Sequence, residues 1–426
     1  MGNAQPLANI HIVGLGVAEE TQLSPAAYSA LMASDLVIGS KRQLDIIKPL
    51  LTKREISPTL QLLPKLAELK KLITSAADKK VVVIASGDPL FYGIGRWFAN
   101  HFALEELCYY PAISSIQAAC HAVGLSMQDV EVLSLHGRPV EKIRSKLRKN
   151  QTLVILTDKK STPHVLAAEC AAAGFEQSTL WVCENLGYTQ QQIRAFSVEE
   201  LLNKKDLSFD PLHVTIIKTS GRGGVLPEFP GIPDHHFVTG AEPGKGMISK
   251  REVRMAILSF MQPGNEDVIW DIGAGCGGVA VELAYWNERA TVYAVECHQE
   301  RLRYLHQNQQ RFGVVQNLKI IEGRAPEALH NLPKPNKVFI GGSDGTLKTL
   351  LTDLWQMLPV DGVLVASGVV EATKNQLQDF AETLNEQQVE STELAVKRGS
   401  LMNQKLDYVA KLPVAIFKFT KTGLSA

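Results

Sequence analysis

The residues with the clearest chemical content are Asp271-Ile272-Gly273-Ala274-Gly275-Cys276-Gly277-Gly278. Gly273, Gly275 and Gly278 stand at the spacing of a dinucleotide fingerprint. Glycine there permits positive φ and lets a ligand approach the main chain. A turn that opens a helix can also aim its N–H groups at a ligand. Two carboxylates refine this reading. Asp271 lies two positions before the first glycine, where a negative charge repels a pyrophosphate and suits an ammonium group. Glu296 ends the next apolar run, Thr291-Val292-Tyr293-Ala294-Val295, where an acid can accept hydrogen bonds from ribose hydroxyls. Adenosine joined to an amino-acid ammonium describes S-adenosylmethionine better than NAD. The bland alternative is a glycine turn that holds no ligand.

These groups need a scaffold that sets strand ends against helix starts. Val268-Ile269-Trp270 reads as a buried strand before the loop, and Val279 to Ala284 as the helix after it. Ser249 with Glu252 is a capping-box pattern, opening a helix to about Met261. A helix from His298 to Phe312, strands Leu318–Ile321 and Val338–Ile340, a helix over 345–357, strand Val363–Ser367 and a helix to about Leu384 continue the alternation. The last strand is Val414–Phe419, and the pattern predicts an open, mostly parallel sheet finished by an antiparallel hairpin.

The first half repeats the logic with different residues. Ile10–Val13 is a short strand running into Gly14-Leu15-Gly16, and Ser24-Pro25 reads as N-cap and first position of a helix. Leu60 to Ala77 carries helical periodicity. Val81–Ala85, wholly apolar, reads as a central parallel strand delivering the loop Ser86-Gly87-Asp88-Pro89-Leu90-Phe91-Tyr92-Gly93. Strands at Leu153–Leu156, Thr179–Cys183 and His213–Lys218 follow. Asp88 has an equally simple reading as a turn residue before proline. His136, alone before Gly137, is as readily a turn residue as a general base.

At 426 residues the chain has room for two or three domains, and 45% hydrophobic with 21% charged residues is an ordinary globular balance. Basic and acidic residues number 44 each; from Gly221 onward they number 21 and 23, leaving 23 and 21 before it. Neither half has the basic excess of a nucleic-acid binder. The six cysteines show no metal or disulfide spacing and read as reduced thiols of a cytoplasmic protein. No run approaches a membrane span, and the start lacks a signal-peptide pattern. Gly and Pro between Ser220 and Pro233, Gly224 among them, mark a linker. The division is 1–220, a linker at 221–233, and 234–426.

On Gly14-Leu15-Gly16, Ser86 through Gly93, Ile113-Ser114-Ser115, His136-Gly137-Arg138 and Glu184-Asn185-Leu186-Gly187, the first half resembles the tetrapyrrole methyltransferases of the cobalamin pathway that methylate C5. Members often follow the first loop with Pro-Gly, where Val17-Ala18 stand here. On Gly231 through Asp234, Ser249 through Val253, Trp270 through Gly278, Gly323 through Glu327 and Ile340 through Ser343, the second half resembles C15-methylating, decarboxylating precorrin enzymes.

The resemblance implies an α/β protein: a two-lobed tetrapyrrole methylase fold followed by a Rossmann-like S-adenosylmethionine-dependent methyltransferase fold. Gly87, Asp88 and Gly93 would line one cofactor cleft, with Ser114 and Ser115 close by. Ser249, Gly273, Ala274, Gly275, Cys276, Gly277, Glu296 and Ala325 would contact the cofactor in the other, and Arg324 stands where relatives often carry Asp. The implied partner is a precorrin, a polycarboxylate, with no nucleic acid, membrane or metal, in a homo-oligomer. Lys245, Lys250, Arg251 and Arg254, after Pro243-Gly244, are candidates to face that substrate. The rival readings are an NAD-dependent dehydrogenase and a non-catalytic S-adenosylmethionine sensor. No residue is assigned to catalysis.

Overall fold

Fully apolar runs fix the sheet centres. The computed structural model describes residues 9–17, 20–21, 23–223, 226–242, 244–343 and 345–423. The expectations resting on residues 1–6, Ala18, Gly224 and Pro243 lie outside the described residues. The chain forms two compact units: residues up to Arg138 with Lys149–Arg222, and Pro139–Arg148 with the residues from Gly223 onward.

The first unit has two lobes, each built on a five-stranded sheet. One sheet is parallel, in the order Thr59–Leu62, Leu36–Gly39, Val81–Ala85, Ile10–Gly14, Leu107–Tyr110. Val81–Ala85 sits at its centre and is buried at every position, because both faces are covered. The other sheet runs Glu131–Ser134, Thr152–Leu156, His213–Lys218, Thr179–Glu184, Gln192–Ser197, and only its first pair is parallel. Ser24 caps the helix Pro25–Met32, its Oγ accepting the Ala27 N–H at 3.2 Å. The helix expected over Leu60–Ala77 is shorter, Leu66–Thr74, and residues 59–62 form an edge strand instead. Pro64 interrupts the helical run, and pairing with Leu36–Gly39 claims the residues before it.

The second unit has a seven-stranded sheet in the order Leu318–Glu322, Thr291–Glu296, Val268–Ile272, Lys337–Ile340, Val363–Gly368, Val414–Thr420, Val389–Leu394. Its first five strands are parallel, and Val414–Thr420 pairs antiparallel with both of its neighbours, Val363–Gly368 and Val389–Leu394. Between the two antiparallel strands in sequence, Lys397–Met402 and Lys405–Ala410 form a separate two-stranded sheet, which the sequence pattern does not separate from the final pair. Strand order reverses beside Val268–Ile272, which opens a crevice at its carboxyl end. The core beneath includes Trp270, Val338, Leu364 and Phe419, none more than 1% exposed. Each buried aliphatic or aromatic side chain there contributes about 1.5–3 kcal/mol.

A buried charge network braces this unit. Arg254, fully buried, donates from Nε to Glu282 Oε1 at 2.9 Å and from Nη1 to Asp234 Oδ1 at 2.7 Å. Glu282 also accepts the Gly231 and Ile232 N–H groups, each at 3.0 Å. Burial alone would raise the Asp234 carboxyl, but hydrogen bonds from Arg254 and Arg398 outweigh it and hold it below its ordinary range. Arg254 is therefore a brace and does not face a substrate.

Candidate cofactor and substrate cavities

The carboxyl end of Val268–Ile272 opens into a cavity of about 640 Å³. Asp271, Gly273, Ala274, Gly275, Glu296, Ser249 and Ala325 all line it, as does Arg324. Cys276 and Gly277 are not among its lining residues. Cys276 is 1% exposed, and a Cβ on Gly277 would lie 2.3 Å from Leu305 Cδ1, so both face the core. Gly273 and Gly275 adopt φ of +71° and +60°, and a Cβ on Gly275 would stand 2.7 Å from the Met247 carbonyl oxygen. Only glycine fits there.

The loop differs from a phosphate cradle. The N–H groups of Gly273 and Ala274 donate to the Val295 carbonyl, that of Gly275 to Glu296, and that of Cys276 to the Met247 carbonyl. The expectation that these donors face a ligand is therefore not met. Recognition is left to shape and to carboxylates. Glu296 Oε2 accepts the Gly275 N–H at 2.8 Å, and Oε1 accepts the Cys297 and His298 N–H groups, each at 2.9 Å. Two carboxylate oxygens offer about four acceptor positions, so Oε2 keeps one for a ligand.

Asp271 is the opposite case. It is 1% exposed, and neither carboxylate oxygen has a hydrogen-bond partner among the described residues. Burial pushes its carboxyl up to about 7; the Ala280 N–H, short of bonding geometry, offsets this in part, and the Glu296 charge adds to it. A buried carboxylate without a hydrogen-bond partner among the described residues fits a cationic ligand group that enters the cavity.

Ser249 lines the cavity for a reason other than capping. The helix starts at Arg251 with Lys250 as N-cap and no side-chain cap bond; the Arg251 N–H donates to Asp234 Oδ1 at 2.9 Å instead. The expected Ser249–Glu252 capping box is thus replaced by an acid from upstream, because Glu252 turns to Arg398. Glu296, Cys297 and His298 bring three donor atoms within 4.8 Å of one another, but the carboxylate is largely committed to the backbone.

The first unit holds a larger cavity, about 1260 Å³, lined by Gly87, Asp88, Gly93, Ser114 and Ser115. Gly87, at φ +64°, donates its N–H to the Gly16 carbonyl at 3.1 Å, so the first glycine loop supports the second. Asp88 Oδ1 accepts the N–H groups of Leu90 at 2.8 Å and Phe91 at 3.0 Å, which is the turn role. Ser114 caps the helix Ser115–Val123 in a reciprocal pair with Gln117. Arg42, Arg96, Arg138 and Lys159 also line this cavity. His136 sits in the wall, its Nδ1 3.4 Å from the Thr157 carbonyl.

Sequence reasoning passes over His213. Its Nδ1 donates to the Asp210 carbonyl at 2.6 Å, and its Nε2 is buried without a partner among the described residues, on a residue lining the cavity. It opens the strand His213–Lys218, and antiparallel pairing sets it opposite Glu184, at the carboxyl end of Thr179–Glu184, so no local pattern marks it.

Two family models match the chain: tetrapyrrole (corrin/porphyrin) methylases over residues 9–202 and a precorrin methyltransferase domain over residues 243–421. A precorrin-6Y C(5,15)-methyltransferase [decarboxylating] of Sinorhizobium is 30% identical over 419 residues, covering 96% of this chain and 96% of the relative. A cobalt-precorrin-7 C(5)-methyltransferase of Salmonella typhimurium is 33% identical over 182 residues, 43% of this chain and 87% of its own. A protein of Methanothermobacter thermautotrophicus named probable cobalt-precorrin-6B C(15)-methyltransferase (decarboxylating) is 33% identical over 195 residues, 46% of this chain and 97% of its own. With similarity running nearly end to end through both units, the chain belongs to the precorrin-6Y C(5,15)-methyltransferase (decarboxylating) family.

Proposed function

We propose that this enzyme transfers methyl groups from S-adenosylmethionine to C5 and C15 of a precorrin and removes carbon dioxide from a ring acetate, a reaction of cobalamin synthesis. Residues 1–220 are assigned C5 methylation, and residues 234–426 C15 methylation with decarboxylation, joined by the linker 221–233. The observation that carries the reading is the unsatisfied Asp271 carboxylate in a cavity whose glycine loop keeps its N–H groups for itself. That arrangement suits an ammonium-bearing cofactor and not a pyrophosphate.

When bound, S-adenosylmethionine supplies an electrophilic methyl group on a sulfonium. Asp271 would neutralise the ammonium, Glu296 would accept one ribose hydroxyl, and Ser249, Gly273, Ala274, Gly275 and Ala325 would shape the wall. In the first unit Gly87, Asp88, Gly93, Ser114 and Ser115 would form the corresponding wall. Positioning and exclusion of water carry most of such a reaction. Arg42, Arg96, Arg138 and Lys159 support a polycarboxylate substrate in the larger cavity.

Among the described residues no helix is long and apolar enough to cross a membrane. The cysteines, none of them in a disulfide, support a reducing cytoplasmic setting. The exposed Leu401, Leu406 and Tyr408 support a homo-oligomer.

The test is incubation of the purified chain with precorrin-6Y and methyl-labelled S-adenosylmethionine. The product is expected to gain two labelled methyl groups and lose one carbon dioxide by mass spectrometry. Tight NAD binding with no binding of S-adenosylhomocysteine would overturn the assignment, and cofactor binding without labelled product would favour the sensor.

A further inference from the structure

Beside the smaller cavity the second unit carries a shelf of about 380 Å³, walled in part by Lys245, Lys250, Arg398 and Lys411. Gly246 and Lys250 belong to both walls, so the shelf adjoins the cavity directly. Its lining contains four cations and no acid. Two of the cations are already neutralised: Lys245 pairs with Glu242 at 2.5 Å, and Arg398 with Asp234 at 2.8 Å and Glu252 at 2.5 Å. Lys250 donates to the Gly244 carbonyl at 2.9 Å, and neither it nor Lys411 makes an ion pair among the described residues. Burial lowers the Lys250 ammonium, and the Arg398, Arg254 and Lys411 charges add to this against the pull of Asp234. The two that remain, Lys250 and Lys411, are like charges without an ion pair of their own among the described residues, and an anionic ligand would relieve their repulsion.

We propose that this shelf docks peripheral carboxylates of the macrocycle, with Lys250 and Lys411 as positioning cations for the reactions of the second unit. The inference rests on the precorrin reading above. An ion pair stabilises a carboxylate relative to the carbon dioxide it would become. The shelf therefore holds carboxylates that the product keeps, and the acetate to be lost points elsewhere.

The probe is uroporphyrin, a polycarboxylate tetrapyrrole, titrated into the full chain, with its methyl ester as control. Lys250→Gln and Lys411→Gln are each expected to weaken one component of uroporphyrin binding about tenfold. The arginine variants should restore it, the ester should not respond, and S-adenosylhomocysteine affinity should hold. With precorrin, KM for C15 methylation should rise while kcat and C5 methylation stay level. Unchanged uroporphyrin affinity in both variants, at unchanged melting temperature, overturns the proposal. So does a parallel loss of S-adenosylhomocysteine affinity, which would move Lys250 to the cofactor. If uroporphyrin binding follows the lysines but wild type does not methylate precorrin, the shelf stands and the substrate reading falls.

Discussion

In the first unit the acid of the glycine loop turns back on its own chain: Asp88 accepts the N–H groups of Leu90 and Phe91. In the second, Asp271 accepts nothing among the described residues, while Glu296, one strand away, takes the role of loop fastener. The same residue types are thus divided differently between building the loop and greeting the ligand. A carboxylate oxygen that already accepts two backbone N–H groups, as Asp88 Oδ1 does, has little left for a ligand; a carboxylate left unpaired in a low dielectric has a large interaction in reserve. Cofactor binding in the second cavity should therefore respond to charge and pH, and in the first chiefly to shape.

The sharpest way to break this comparison is Gly275→Val. The added side chain meets the Met247 carbonyl at a φ of +60°, and strain of about 3 kcal/mol or more should lower C15 methylation at least about a hundredfold. Product masses should show C5 methylation retained; loss of both would mean that the cavities do not act separately. Next is Glu296→Gln, which leaves the loop N–H groups without a full charge and should weaken S-adenosylhomocysteine binding in the second unit about thirtyfold by calorimetry.

A smaller effect comes from pH. A carboxyl at about 7 must ionise to meet an ammonium, so affinity in the second unit should rise about tenfold from pH 6 to pH 8, and Asp271→Asn should flatten the rise. The sign for stability is the reverse. The folded value lies above the ordinary 3.8, so the Asp271 contribution is full below 3.8 and is lost as pH rises towards 7, by at most about 1.4 kcal/mol per pH unit. Without ligand, the melting difference between wild type and Asp271→Asn should widen over that range. The smallest change is expected for Asp88→Asn: an amide oxygen still accepts from Leu90 and Phe91, and C5 methylation should fall less than about threefold. A drop of a hundredfold would mean that Asp88 meets the cofactor directly.

What could be read in advance was local. The strand–loop–helix around Asp271 and the Ser24 cap depend on neighbours in sequence, and period and turn chemistry reveal them. What escaped depends on distant partners. Ser249 looks like a cap because Asp234 is invisible from its own window. Leu60–Leu62 looks helical until Leu36–Gly39 lies beside it. Arg254 looks like one of several surface cations until Glu282 and Asp234 enclose it. Arg398 and Lys411 reach the shelf from a hairpin late in the chain, and no spacing connects them to Lys250.

The charge network has a consequence for anyone reshaping the enzyme. Glu282, on the helix that follows the glycine loop, holds Arg254; Arg254 holds Asp234; Asp234 holds Arg398 on the hairpin. Signs alternate along this relay, so deleting an interior member strands a buried charge, at a cost of about 3–5 kcal/mol. A foreign hairpin without its guanidinium would leave Asp234 to Arg254 alone and Glu252 without its ion pair, so a library that varies the hairpin should keep position 398 fixed.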